Sequence, residues 1–285
     1  MSEEKSTFVQ IPWTIFFWEA FLFSLTLGLG ITAAFRINEI LKFQKIEIPQ
    51  ISFWKFILNF LLATLFILLI VRLVKFKKGK ELFFKTLFIL SAFLGGLFCL
   101  EAWIEEPLPL ISIAILIFWW LKFPSVLNQD ILIILGIAGV GGVLGLALSP
   151  EIIIVILIIF SIYDWISVYK TKHMVKMAKE MIESKAILGL VIPPNISGFR
   201  ENLTEVQPGG KFLILGGGDI VFPLLLCSSL ASGGILNSLI VAIFALFGLF
   251  VGFWFFISQK PRQPIPALPP IALFSIIGYL ITRFI

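Results

Sequence analysis

The sequence has little with which to hold a metal. Among 285 residues there is one histidine, His173, and two cysteines, Cys99 and Cys227. No H-E-x-x-H zinc motif and no cluster of His and Cys ligands can be built from them, so no metal or other cofactor is expected. A Ser-His catalytic pair is not plausible either, because the lone histidine lies in a basic loop. Both cysteines sit within apolar runs and read as packed free thiols, with no disulfide framework. Charge is scarce at 14% of residues, and aspartate is scarcest: Asp130, Asp164 and Asp219 are the whole supply.

Apolar residues fill the space those absences leave. They make up 59% of the chain, with 31 Phe and 8 Trp, against roughly 45–50% in globular proteins. Mean hydropathy is +1.05. Such a chain uses lipid as its solvent. Apolar runs of spanning length predict an all-α membrane protein, a bundle of nine transmembrane helices at about 11–35, 51–74, 82–100, 107–121, 131–149, 151–169, 211–230, 234–257 and 266–283. The fourth run is short, and Ser149-Pro150-Glu151 alone divides the fifth from the sixth. The chain falls into helices one to six over 1–169, a loop over 170–210, and helices seven to nine over 211–285.

The net charge of +5 marks loops here, not a nucleic-acid surface. With nine spans, 17 of the 22 Lys and Arg fall on one side and 5 on the other. The positive-inside rule then places the N-terminus and the 170–210 loop in the cytoplasm and the C-terminus outside. That loop begins as a basic, helix-like continuation of the sixth span, then breaks at Pro193-Pro194, Gly198 and Pro208-Gly209-Gly210. Pairs of glycines four apart, Gly141/Gly145 and Gly248/Gly252, predict close helix packing.

Asp130 sits at a span boundary and asks for no special account. Asp164 and Asp219 lie inside apolar spans, where an ionisable group costs at least about 2.5–3.5 kcal/mol. Asp164 precedes Lys170 by six residues and Asp219 follows Lys211 by eight. At 1.5 Å per residue the two stand about 9 and 12 Å from one face, on consecutive antiparallel helices. Paired carboxyls at one depth suit amide hydrolysis: one, ionised, activates water, while the other, protonated, donates to the carbonyl. Close like charges make such a pair share one proton. Acids that merely bond to neighbouring helices, or that carry ions, fit the same placement. Glu19 in the first span is a third acid within an apolar run.

Gly216-Gly217-Gly218 precedes Asp219 directly. Three glycines inside a span weaken a helix and admit other backbones, an opening that water and a peptide bond require. Gly216-Gly217-Gly218-Asp219 matches the G-x-G-D motif, Tyr163-Asp164 the Y-D motif and Pro266-Ala267-Leu268 the P-A-L motif of presenilins and signal peptide peptidases. In order and on spans six, seven and nine, they make the chain resemble that family. The stretch YDWISVYKTKHM is similar to archaeal members. The resemblance implies an intramembrane aspartic endopeptidase with Asp164 and Asp219 as its dyad, and transmembrane peptides or signal peptides as substrates. It implies that Pro266, Ala267 and Leu268 approach the dyad, with Tyr163 and the three glycines as supporting residues. It also implies a substrate strand added beside Lys211–Leu215. With so short a 170–210 loop, no activating self-cleavage and no obligatory partner subunit are expected, and self-association stays open. A cation-leak channel or transporter, and a prepilin-peptidase-like enzyme, are the alternatives.

Overall fold

A computed structural model describes residues 13–73, 77–171, 181–182, 187–207, 210–259 and 263–284. Nine helices are present among them: α1 (Trp13–Phe43), α2 (Phe53–Leu73), α3 (Lys77–Glu101), α4 (Leu108–Lys122), α5 (Val126–Ala147), α6 (Pro150–Tyr169), α7 (Gly217–Ser229), α8 (Ile235–Ser258) and α9 (Leu268–Thr282). Five are long and apolar enough to span a bilayer by themselves, and the other four contain shorter apolar helices. The chain is an integral membrane protein. His173 and most of the expected helical continuation of the sixth span lie outside the described residues; α6 itself ends at Tyr169.

Small residues set the helix spacing. A methyl on Gly139 would fall onto the backbone of Gly95, joining α3 to α5. Gly141 admits Leu224 and Gly145 admits Ser228, joining α5 to α7, while Gly248 lies against the Pro270 carbonyl of α9. Both glycine pairs thus work as close-packing positions, where dispersion replaces the hydrophobic effect as the force between helices. α6 and α9 run antiparallel: Arg283 at the end of α9 bonds Glu151 at the start of α6 at 2.8 Å, and Tyr279 donates to Glu151 at 3.1 Å.

Two expectations need correction. The fifth helix starts at Val126, not 131, because Ser125 caps it by accepting the Asn128 amide at 3.3 Å. Asp130 therefore lies inside the helix at 1% exposure. The seventh helix starts at Gly217, not 211, because 213–216 form a strand. That strand, β2 (Leu213–Gly216), pairs antiparallel with β1 (Gly189–Ile192), in register Gly189 with Gly216 and Ile192 with Leu213. β1 is wholly buried. The described part of the loop is thus docked on the bundle.

Asp130 explains that docking. Its Oδ1 accepts the Val191 amide of β1 at 2.8 Å. The neighbouring Gln129 side chain donates to the Ile187 carbonyl and accepts from the Trp120 indole at 2.9 Å. The Val126 amide reaches Glu201 and the Leu203 amide reaches Pro124, at 3.0 and 2.9 Å. Backbone groups at membrane depth must be satisfied within the protein, and the start of α5 supplies those partners.

Candidate active site

Asp164 lies on the inward face of α6 with Ile153, Ile156, Leu157 and Ser167, 6% exposed. A buried carboxyl needs donors, and Leu268 provides one: its amide donates to Asp164 Oδ2 at 3.3 Å. Leu268 opens α9, where the first amides have no partner inside the helix. Pro269 and Pro270 carry no N–H, so the first three positions of α9 offer a single donor, and Asp164 takes it.

Asp219 is placed by a change of backbone. β2 gives way at Gly216 to α7, with Gly216 as its N-cap and Asp219 three residues on. From that position a carboxyl folds back toward the cap, and the Asp219 side chain lies against the Gly216 backbone. The three glycines do separate jobs. A methyl at Gly216 would stand 3.0 Å from Asp219 Oδ2 and one at Gly217 would stand 3.1 Å from the Leu188 carbonyl. At Gly218 it would meet only the Phe222 ring, at 3.6 Å. They mark a strand-to-helix junction, a different device from the weakened helix interior that the sequence suggested.

The two acids stand at one level. Phe160, a turn before Asp164, stacks on Phe222, a turn after Asp219, with ring centroids 4.6 Å apart. Because α6 and α7 run in opposite directions, this contact brings the carboxyls side by side, and they interact electrostatically. Pro266 is buried and lines a groove of about 600 Å³ among α6, α8 and α9, with Trp165, Tyr169, Phe255 and Phe274. Ala267 caps α9. Tyr163 is not brought in: it is 48% exposed, one step around α6 from Asp164. No group of three His, Cys, Asp or Glu residues suited to a metal occurs among the described residues.

The family model for signal-peptide peptidase, presenilin aspartyl protease matches residues 19–285. The chain belongs to this family. It is an intramembrane aspartic protease, a peptide hydrolase whose substrates are membrane-embedded. No match was found among curated protein sequences. Its fold resembles solved structures of a presenilin family intramembrane aspartate protease. The form in space group C222 is 21% identical, with a TM-score of 0.61 over 94% of this chain and 97% of that one. The P2 form is 22% identical, with a TM-score of 0.59 over 92% and 96%.

Sequence reasoning missed the contributions of Asp130, Gln129 and the Phe160–Phe222 stack to this protease. The signal for the first two was there: Pro124-Ser125 is a helix start, which puts Asn128-Gln129-Asp130 inside the fifth span.

Proposed function

We propose that Asp164 and Asp219 are the catalytic dyad. The observation that carries this reading is their side-by-side placement at one level, with the Leu268 amide on Asp164 and the Gly216 backbone on Asp219. One carboxylate, as general base, takes a proton from water as it attacks the scissile carbonyl. The other, as general acid, gives its one proton to the carbonyl oxygen. As the C–N bond breaks, the first carboxyl passes the proton it took from water to the leaving nitrogen, and the second takes one back from the gem-diol hydroxyl. The backbone groups orient the two carboxyls and leave their remaining oxygens for water and substrate. Pro266, Ala267 and Leu268 set the geometry of Asp164.

The outer edge of β2 is the place for the substrate backbone. In an antiparallel pair the hydrogen-bonded positions alternate. The Gly217 amide reaches Leu188 at 3.0 Å, so Leu213 and Leu215 also face β1, in the observed register. Ile214 and Gly216 face outward. An extended substrate segment adds at that edge and runs toward Asp219, three residues beyond Gly216. The substrate enters as an unwound transmembrane peptide.

The site opens to the cytoplasm, a reading supported by the 17-to-5 division of basic residues. Lys122, Lys170 and Lys211 end or precede elements on the loop side, while Lys42 reaches the Ser232 carbonyl at the far end of α7, 3.5 Å away. The protein works without an obligatory partner subunit.

The test is cleavage of a labelled transmembrane peptide by the purified full chain, with products mapped by mass. Asp164→Ala and Asp219→Ala each abolish cleavage. Activity surviving in either would reject the dyad.

A further inference from the structure

Helix α1 carries a carboxyl that dyad chemistry leaves unused. Ile15, Glu19, Leu22, Phe23, Thr26 and Leu27 form its inward stripe, and Glu19 is 5% exposed. Its Oε2 has no hydrogen-bond partner among the described residues. A long acidic side chain six residues from the start of α1 is able to turn outward toward a membrane boundary. This one turns into the bundle.

Two contacts locate it relative to the dyad. On its outer side Thr14 donates to the Pro194 carbonyl at 2.9 Å, and the Trp18 ring packs on Phe199 at 5.1 Å. Glu19 therefore lies just inside the docked loop. Farther in, Gly30 receives Leu224, with the Leu224 side chain 2.6 Å from where a methyl would stand. Glu19 is eleven residues, about 16 Å, before that contact on α1, and Asp219 is five residues, about 8 Å, before it on α7. Both helices begin on the loop side. Glu19 thus stands about a turn and a half to the loop side of Asp219, a gap that two inward-pointing acidic side chains reduce.

Among the described residues, the charged groups on the elements around α1 leave one counterpart. Asp219 acts on Glu19 electrostatically. Asp130 of α5 is turned to Val191. Lys78, Glu81, Lys85 and Glu101 sit toward the ends of α3, with Lys85 bonded to Glu81 at 2.7 Å. β1 and α8 contain no charged residue, and Arg36, Glu39 and Lys42 are at the far end of α1. In the docked loop, Arg200 is exposed and Glu201 pairs with Lys211 at 2.8 Å. An ionised Glu19 would face an acid with no cation turned to it among the described residues, in surroundings that penalise any charge.

We propose that Glu19 is a positioning residue of the protease, a neutral carboxylic acid facing Asp219 that keeps the single negative charge on the Asp164–Asp219 pair. This rests on the dyad reading above. Three carboxyls that share one site titrate as a set. Activity requires one proton on the pair and one on Glu19. When Glu19 loses its proton, the new charge opposes ionisation of Asp219 and the water-activating form disappears.

The experiment is the pH–rate profile of the full chain on a transmembrane reporter peptide, for wild type, Glu19→Gln and Glu19→Asp. Asp164→Ala and Asp219→Ala are measured alongside. Glu19→Gln, neutral at every pH, is expected to leave the acid limb in place. It moves the alkaline limb upward by on the order of one pH unit, so that it is up to about tenfold faster than wild type there. Glu19→Asp restores an alkaline limb at the wild-type side. A Glu19→Gln profile that superimposes on wild type, or that is lowered evenly at all pH, overturns the proposal. So does a Glu19→Gln protein that fails to fold, since an amide is a near match for a neutral acid. If wild type does not cleave, or either Asp variant does, the dyad reading itself has failed. If those controls hold and the Glu19→Gln limb does not move, only the role of Glu19 is lost.

Discussion

The Leu268 backbone N–H donates to Oδ2 of Asp164 at 3.3 Å, across 104 positions of sequence. One hydrogen bond joins the P-A-L segment to the acid of α6. It exists because two prolines follow Leu268 and leave its amide as the one donor of the first three positions of α9. A main-chain donor cannot rotate away as a side chain can. The orientation of Asp164 is therefore set by where α9 begins. Replacing Leu268 by Met keeps the donor and most of the volume; such swaps cost under about 1.5 kcal/mol of stability, and cleavage by the folded enzyme is expected near wild type. Leu268→Pro removes the donor. A hydrogen bond to an ionisable group is worth about 1.5–3 kcal/mol, so a fall of roughly tenfold to a hundredfold in kcat is expected, read by peptide cleavage at saturating substrate.

The dyad acts as a unit, and its losses do not add. Asp164→Asn and Asp219→Asn should each lower kcat by about a hundredfold to ten-thousandfold, the usual worth of acid–base catalysis. The double variant should be hardly worse than either single one. Kinetics of all three at one pH decide this, and a double variant slower by the product of the single losses would refute the shared mechanism.

The glycines before Asp219 are expected to rank by what each methyl would meet. Gly216→Ala crowds the carboxyl itself at 3.0 Å and Gly217→Ala crowds the Leu188 carbonyl at 3.1 Å, while Gly218→Ala makes ordinary contact with Phe222. Gly216→Ala should lose most of its activity with its thermal unfolding near wild type. Gly217→Ala should lower thermal stability, and Gly218→Ala should resemble wild type in both assays.

The alternation along β2 separates two proline variants. Ile214→Pro removes an outward donor and should raise KM strongly with the fold kept. Leu213→Pro breaks a bond to β1 and should lower the unfolding temperature as well. Equal, unchanged cleavage by Ile214→Pro would reject strand addition at this edge.

Asp130 holds the other strand. Asp130→Leu leaves the buried Val191 amide without its acceptor, a cost of about 1–3 kcal/mol, and Asp130→Asn keeps an acceptor oxygen. Hydrogen exchange at Val191 should quicken in the leucine variant and stay slow in the asparagine variant.

The spans, the two acids and the P-A-L segment were legible because apolar runs, rare carboxyls and short motifs are local properties. β1 was not. Its four residues, Gly189–Ile192, carry no alternation that separates them from the surrounding loop, and they are a strand because Asp130 and β2 satisfy their backbone. Asp130 was passed over for the same reason: a residue judged to be at a boundary was one turn inside a helix. Tyr163 erred the other way, since adjacency in a motif puts neighbours about 100° apart on a helix and only one of them can face the bundle. Glu19 was visible as an acid, and its inward turn required the packing of α1.

The short α7 bears on the bilayer itself. Its 13 residues rise about 20 Å, against a hydrocarbon core of about 30 Å. A further turn over Ala231–Gly233 extends it at one end, and the strand pair with its docked loop continues it at the other. Because α7 is buried along most of its length, that shortfall is met inside the bundle: the acids sit where a helix gives way to sheet, walled from acyl chains by the protein's own backbone.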